Sequence, residues 1–153
     1  MAAERISVEE CEQRLETGWV YLDVRTTPEF EAGHPQGAYN VPIKLAGADG
    51  LTANPDFVAT VQANFDLGTP VIVGCQSGRR SQSAAQLLEE AGFTVAENRA
   101  GFGGSKDAFG QILEPGWLTA GRAVSSEVQP GRSFEELKRS YLRATADGSS
   151  TRR

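Results

Sequence analysis

One segment of the chain concentrates residues able to do covalent chemistry: Cys75-Gln76-Ser77-Gly78-Arg79-Arg80-Ser81. It follows the apolar, β-branched run Pro70-Val71-Ile72-Val73-Gly74, which reads as a strand. It precedes Ser81 to Ala91, where Ala84, Ala85, Leu87, Leu88 and Ala91 recur at helical spacing as an inner face. A strand-to-helix loop lies at the carboxyl end of a strand, where open α/β sheets bind ligands. The helix start offers unpaired backbone N–H groups and the positive end of a dipole. A cysteine there is expected to ionise more readily than a free thiol, whose pKa is about 8.5. Amides curled around its sulfur form a concave cradle for negative charge. Gly78 admits backbone conformations that a side chain penalises, and Arg79 and Arg80 add cations able to grip an oxyanion. The plainer alternative is a buried cysteine that happens to precede a helix, since free Cys is among the most buried residue types. The polar, Arg-bearing loop favours a nucleophilic thiolate at Cys75, with Gln76, Ser77, Gly78, Arg79 and Arg80 as the substrate-binding residues.

Other reactive side chains are few. His34 is the only histidine, and a Cys–His pair is conceivable. A loop that already holds a thiolate needs no proton abstraction, so His34 is read as anchoring its own loop by hydrogen bonds. Asp23, Arg25 and Glu29 fall between a strand end and a helix start, near the same sheet edge. They either bind substrate or brace the loop through ion pairs, with Arg80 as one partner, and the sequence leaves both roles open. Cys11 fits the inner stripe of a first helix and is read as a core residue, and Trp19 and Trp117 as packing anchors. One His and two Cys do not complete the usual four-ligand zinc site.

The elements that must position the loop follow from the pattern around it. Ser7-Val8-Glu9-Glu10 has capping-box spacing, and Val8, Cys11 and Leu15 continue a helix toward Gly18. Val20-Tyr21-Leu22 reads as a buried strand. Thr27 caps a short helix with Pro28 in its first turn, stopped by Gly33. Ala38 to Val41 is extended, Leu45 to Asn54 a surface loop, and Pro55 to Phe65 a helix. Gly92 closes the helix after Cys75, and Phe93-Thr94-Val95 begins another strand. Glycines then multiply, giving loops with one short helix expected. Ser125 to Gly131 reads as a linker, Ser133 caps a last amphipathic helix, and Asp147 to Arg153 is expected to be a disordered tail. Strands alternating with helices imply an α/β domain with a mostly parallel sheet.

Composition sets the outer bounds. The chain has 153 residues, 39% hydrophobic and 23% charged, which suits one domain with one substantial core. No apolar run approaches the roughly 20 residues needed to cross a bilayer. The start, Met1-Ala2-Ala3-Glu4-Arg5, lacks the form of a secretory signal, so a cytoplasmic location is expected. The net charge is -5 with no basic stripe, which argues against nucleic-acid binding. An anionic ligand must be held locally, against the charge of the whole molecule.

Taken together, these motifs resemble the rhodanese family. The Cys75 loop is similar to its Cys-x-x-Gly-x-Arg-Ser signature. Asp23-Val24-Arg25 with Glu29-Phe30 resembles a first motif, and Gly33-His34 with Gly37-Ala38-Tyr39-Asn40-Val41-Pro42 a second. Gly103-Gly104 and Trp117 with Ala120-Gly121 resemble the C-terminal elements. The likeness spans about residues 5 to 124, and the motifs stand in the right order. Two departures stand out: Pro35-Gln36 replaces an Ile-Pro pair, and the stretch between Gly104 and Trp117 is longer than the compact pattern. The resemblance implies a three-layer domain, residues 1-124, with a roughly five-stranded central sheet flanked by helices. Residues 125-153 would add a linker, a helix and a tail.

The activity it implies is sulfur transfer. Cys75 would take sulfane sulfur from thiosulfate as a persulfide and pass it to cyanide, a thiol or a protein acceptor, with no metal or organic cofactor and no membrane partner. Arg79 suits dianionic thiosulfate, and the neutral loop of mercaptopyruvate sulfurtransferases is absent. Two other readings compete. A cysteine phosphatase or arsenate reductase uses a similar cradle, but its signature places five residues before the Arg, whereas four separate Cys75 from Arg80. A rhodanese-like module that only binds a partner or senses redox state commonly lacks the cysteine that is kept here.

Overall fold

The computed structural model describes residues 3–146. In chain order the elements are β1 (Glu4–Ile6), α1 (Val8–Leu15), β2 (Val20–Asp23), α2 (Thr27–Ala32), β3 (His34–Pro35) and β4 (Tyr39–Asn40). Next come β5 (Lys44–Gly47), β6 (Gly50–Ala53), α3 (Phe57–Asn64), β7 (Val71–Gly74), α4 (Arg80–Glu90) and β8 (Val95–Asn98). The chain continues through β9 (Ser105–Lys106), β10 (Ile112–Glu114), β11 (Val124–Ser125) and α5 (Phe134–Ala146).

Five strands form one parallel sheet in the order β1-β8-β7-β2-β4. Successive strand side chains point to opposite faces, so the apolar run Val71-Ile72-Val73 fills both layers. Val71 and Val73 join Leu22, Val61 and Leu88 in one core cluster, with α3, α4 and α5. Ile72 joins Tyr21, Cys11, Phe30 and Trp117 in the other, with α1 and α2. The result is the three-layer α/β arrangement expected from the sequence. α5 packs on α3: Leu137 is buried in the first cluster, and its carbonyl accepts from Asn64 Nδ2 at 2.9 Å.

Several local expectations are corrected. The cap of α2 is Thr26 rather than Thr27: its side chain takes the Glu29 N–H while the Glu29 carboxylate takes the Thr26 N–H, a closed capping box. At Ser7 only half of such a box forms, because the Glu10 carboxylate pairs with Arg14 instead. Leu45 to Asn54 is not irregular but carries the antiparallel hairpin β5–β6, solvated on most positions and therefore without an apolar alternation to betray it. Leu87 is 39% exposed, not on the inner face of α4, and Ser81 is fully buried there. Among the described residues no helix lies between Asn98 and Phe134; the chain forms the short ladders β9–β10 and β11–β3. Ser125, expected in a linker, pairs with His34. The expected tail, Asp147 to Arg153, lies outside the described residues.

Candidate active site

β7 ends at Gly74, and a bend over residues 76–79 carries the chain from Cys75 into the start of α4. Gly74 has no room for a side chain, since a Cβ would fall 1.9 Å from the Tyr21 hydroxyl. The first N–H groups of a helix have no partner within the helix. Arg79, at the cap position of α4, offers no side-chain bond to them. The sulfur of Cys75 takes that place: Sγ accepts from the backbone N–H of Gly78 at 3.2 Å and of Ser81 at 3.3 Å. The cysteine is buried. Gly78 makes the ring possible, with φ at +92° and its Cβ position only 2.4 Å from the Arg99 carbonyl oxygen. The glycines after Asn98 close the far side by direct backbone approach. Phe102 N–H donates to the Cys75 carbonyl at 2.7 Å and Gly103 N–H to the Gln76 carbonyl at 2.9 Å, and a Cβ on Gly101 would strike that same segment.

Bracing comes from the carboxylates and cations singled out in the sequence. Arg80 meets Glu29 in a two-pronged contact of 2.7 and 3.0 Å. That guanidinium, with the Thr26 cap, holds the Glu29 carboxyl down to about 2. Arg80 thus has the carboxylate partner weighed for it in the sequence. Arg25 and Asp23 form a buried pair at 2.7 Å; Arg25 also donates to the Gly33 carbonyl and to Gln76 Oε1, and lies 4.3 Å from the Phe102 ring. The Gln76 side chain is thus tied inward. His34 stacks on Phe30 at 3.8 Å between centroids and places Nδ1 2.7 Å from the Phe30 carbonyl, an anchor of its own loop. Cys11 is fully buried, and burial pushes its thiol up to about 12. Trp117 packs edge-on to Tyr21 at 5.7 Å. Among the described residues no three His, Cys, Asp or Glu side chains come together in a way that could hold a metal ion.

In front of the loop lies an open cleft of about 540 Å³. Ser77, Gly78 and Arg79 form one wall, and Arg5, Arg99 and Lys106 bring further positive charge. Arg99 is held by Glu114 at 2.8 Å, and Arg5 stands 3.6 Å from Glu97. Among the described residues Arg79 and Lys106 have no ion-pair partner. Sequence reasoning missed Arg5, Arg99 and Lys106 because they are distant along the chain. Their signal is topological: β1 and β8 are parallel neighbours, which brings Arg5 beside the residues that end β8. With four cations against the carboxylates of Asp107 and Glu114, such a cleft favours anions beside the cysteine loop, although the chain as a whole is negative.

A family model described as Rhodanese-like domain matches residues 7–107. The chain is 46% identical over 96 residues to Thiosulfate sulfurtransferase 16, chloroplastic, of Arabidopsis thaliana, covering 63% of this chain and 80% of that relative. It is 35% identical over 106 residues to Protein HIGH ARSENIC CONTENT 1, mitochondrial, of the same plant, covering 69% of this chain and 63% of that one. It spans about half (52%) of the length of the Raphanus sativus Senescence-associated protein DIN1. The solved structure of Rv0390 from M. tuberculosis superposes with a TM-score of 0.69 at 31% identity, covering 83% of this chain and 100% of that one.

Proposed function

The chain belongs to the rhodanese-like domain family, and on that premise we propose that it is a sulfurtransferase that carries sulfur from thiosulfate to cyanide or a thiol as a persulfide on Cys75. The Cys75 thiolate attacks the sulfane sulfur of thiosulfate, the S–S bond of the donor breaks, and sulfite leaves with the bonding pair. The enzyme now holds a terminal sulfur carrying the negative charge. Cyanide or a thiolate attacks that sulfur, the new S–S bond breaks, and Cys75 returns to the thiolate. This is covalent catalysis in two half-reactions. Arg79, exposed at the mouth, attracts the dianionic donor.

One observation carries this reading: Sγ of Cys75 sits at the start of an eleven-residue helix with two backbone N–H groups at 3.2 and 3.3 Å. Donors fixed around one sulfur stabilise the charge that arrives on it without reorganising. A phosphatase reading fits less well. It needs a wider ring and an Arg free to hold phosphoryl oxygens, whereas only four residues separate Cys75 from Arg80, and Arg80 is bound to Glu29.

The test is direct. Thiosulfate without acceptor should add the mass of one sulfur atom to the peptide containing Cys75, and cyanide should remove it as thiocyanate. Cys75→Ser should neither load nor turn over while keeping its circular dichroism spectrum. Thiocyanate formation with an unmodified Cys75 peptide would rule out the covalent route.

A further inference from the structure

The hairpin β9–β10 fills the stretch between Gly104 and Trp117 that exceeds the compact family pattern. It carries more apolar surface than a small-anion site requires. Phe109 is 90% exposed, Leu113 69% and Ile112 49%. Single exposed apolar residues are ordinary, but these three fall within one short hairpin. The residues on either side of Phe109, Ala108 and Gly110, line the cleft in front of the cysteine loop, and the same hairpin contributes Lys106. At about 540 Å³ the cleft is far larger than thiosulfate or cyanide needs.

We propose that the cleft and the hairpin together dock a protein sulfur acceptor, whose thiol lies on an exposed segment flanked by carboxylates and by an apolar residue that seats against Phe109 and Leu113. Charge names the partner. The chain bears a net charge of -5, but the cleft is lined by the cations Arg5, Arg79, Arg99 and Lys106 against the carboxylates Asp107 and Glu114, and among the described residues Arg79 and Lys106 have no ion-pair partner. The apolar lip names its size, because Phe109 lies outside the cleft, where only a partner larger than a free thiol reaches it. The sulfur step rests on the persulfide reading above: the acceptor thiolate attacks the terminal sulfur on Cys75, the Sγ–S bond breaks, Cys75 leaves as thiolate, and the acceptor carries away the persulfide. No outside oxidant or reductant is needed.

The experiment uses the full chain, loaded with thiosulfate and freed of excess donor. The acceptors are synthetic peptides with one Cys: an acidic peptide with one Leu, its Lys-for-Glu counterpart, and its Leu→Ser counterpart. Single-turnover transfer is followed by mass. The acidic, Leu-bearing peptide should accept sulfur about tenfold faster than either of the others at low salt. The Phe109→Ser, Leu113→Ser double variant should slow that peptide about fivefold or more while leaving transfer to cyanide unchanged. Equal rates for the three peptides, or a double variant that slows none of them, would overturn the docking surface. Binding of a fluorescent Cys→Ser version of the acidic peptide is measured in parallel on unloaded protein. If thiosulfate fails to load Cys75, the persulfide reading fails. Docking then stands on binding that the double variant loses, and falls if the peptide does not bind.

Discussion

Replacing Gly78 with alanine adds one carbon at the most crowded point of the cradle. The new Cβ would lie 2.4 Å from the Arg99 carbonyl oxygen, so the loop must move by at least about 0.6 Å to reach any observed contact distance. The backbone at φ +92° also strains any residue with a side chain. That strain is worth about 1–2 kcal/mol, and forced repacking about 1–3 kcal/mol more. The same movement displaces the Gly78 N–H, one of the two donors to Sγ. Loss of one donor from an oxyanion hole slows reactions by about 10²–10³, and a sulfur acceptor, being softer, should lose at least about tenfold. Gly50→Ala is the control, because Gly50 has nearly the same φ, +95°, but nothing within 4 Å of its Cβ position. Urea unfolding should show Gly50→Ala losing only the strain, about 1–2 kcal/mol, and Gly78→Ala clearly more. Rapid-quench mass spectrometry should show slower persulfide formation in Gly78→Ala alone. Equal stability of the two variants, with wild-type loading in both, would refute the argument that this contact holds the cradle.

Three further outcomes follow. Cys11→Ser should keep thiosulfate turnover within about twofold and lose about 1–3 kcal/mol by urea unfolding, because a hydroxyl replaces a thiol in an apolar site; a folded but inactive variant would point to a two-cysteine mechanism. Glu29→Gln keeps the capping-box geometry but removes the charge facing Arg80. Because the Glu29 carboxyl titrates near 2 when folded and at 4.5 in its ordinary state, its stabilisation is complete above pH 4.5 and fades as the pH falls toward 2. The stability gap between wild type and Glu29→Gln should therefore be constant near neutrality and narrow between these values; a gap that persists at low pH would show that the ion pair is not its source. Arg79→Ala should lower kcat/KM for thiosulfate more than the rate of cyanide attack, with the deficit shrinking as salt rises, since exposed charges are screened over about 8 Å at physiological ionic strength; a salt-independent loss confined to kcat would make Arg79 a loop-shaping residue.

The parts of the fold legible in the sequence were those with a local signature. Val71-Ile72-Val73 announced a strand covered on both faces, Ala84, Ala85 and Leu88 the helix after it, and Cys75 to Arg80 the loop between them. The Glu29–Arg80 ion pair was legible because both residues stand at helix starts on the same sheet edge. What escaped lacked local cause. Leu87 fits the apolar pattern of α4 but faces solvent, while Ser81 is buried because its hydroxyl meets Glu97 at 3.2 Å. The glycines after Asn98 read as loop because nothing nearby in sequence shows that Gly101 and Gly103 press against Gln76. Arg5 joins the cleft only once β1 is known to lie beside β8.

The capping of α4 explains why these constraints converge on a cysteine. Helix starts are ordinarily capped by Ser, Thr, Asp or Asn, whose oxygens accept strongly. Here the acceptor is a sulfur from outside the helix, and a neutral thiol accepts only weakly. The shortfall is met from elsewhere: Arg80 is fixed by Glu29, Gly78 is pressed onto Arg99, and the Gly78 carbonyl receives Arg5 and Gln82 side chains at 3.2 and 3.1 Å. Those contacts hold the two N–H groups in place without depending on the sulfur. Hydrogen bonds to an ionised partner are roughly twice as strong as neutral ones. Donors held open in this way are therefore worth most to a charged sulfur, and an arrangement that caps a helix poorly at rest is well matched to a site where negative charge comes and goes.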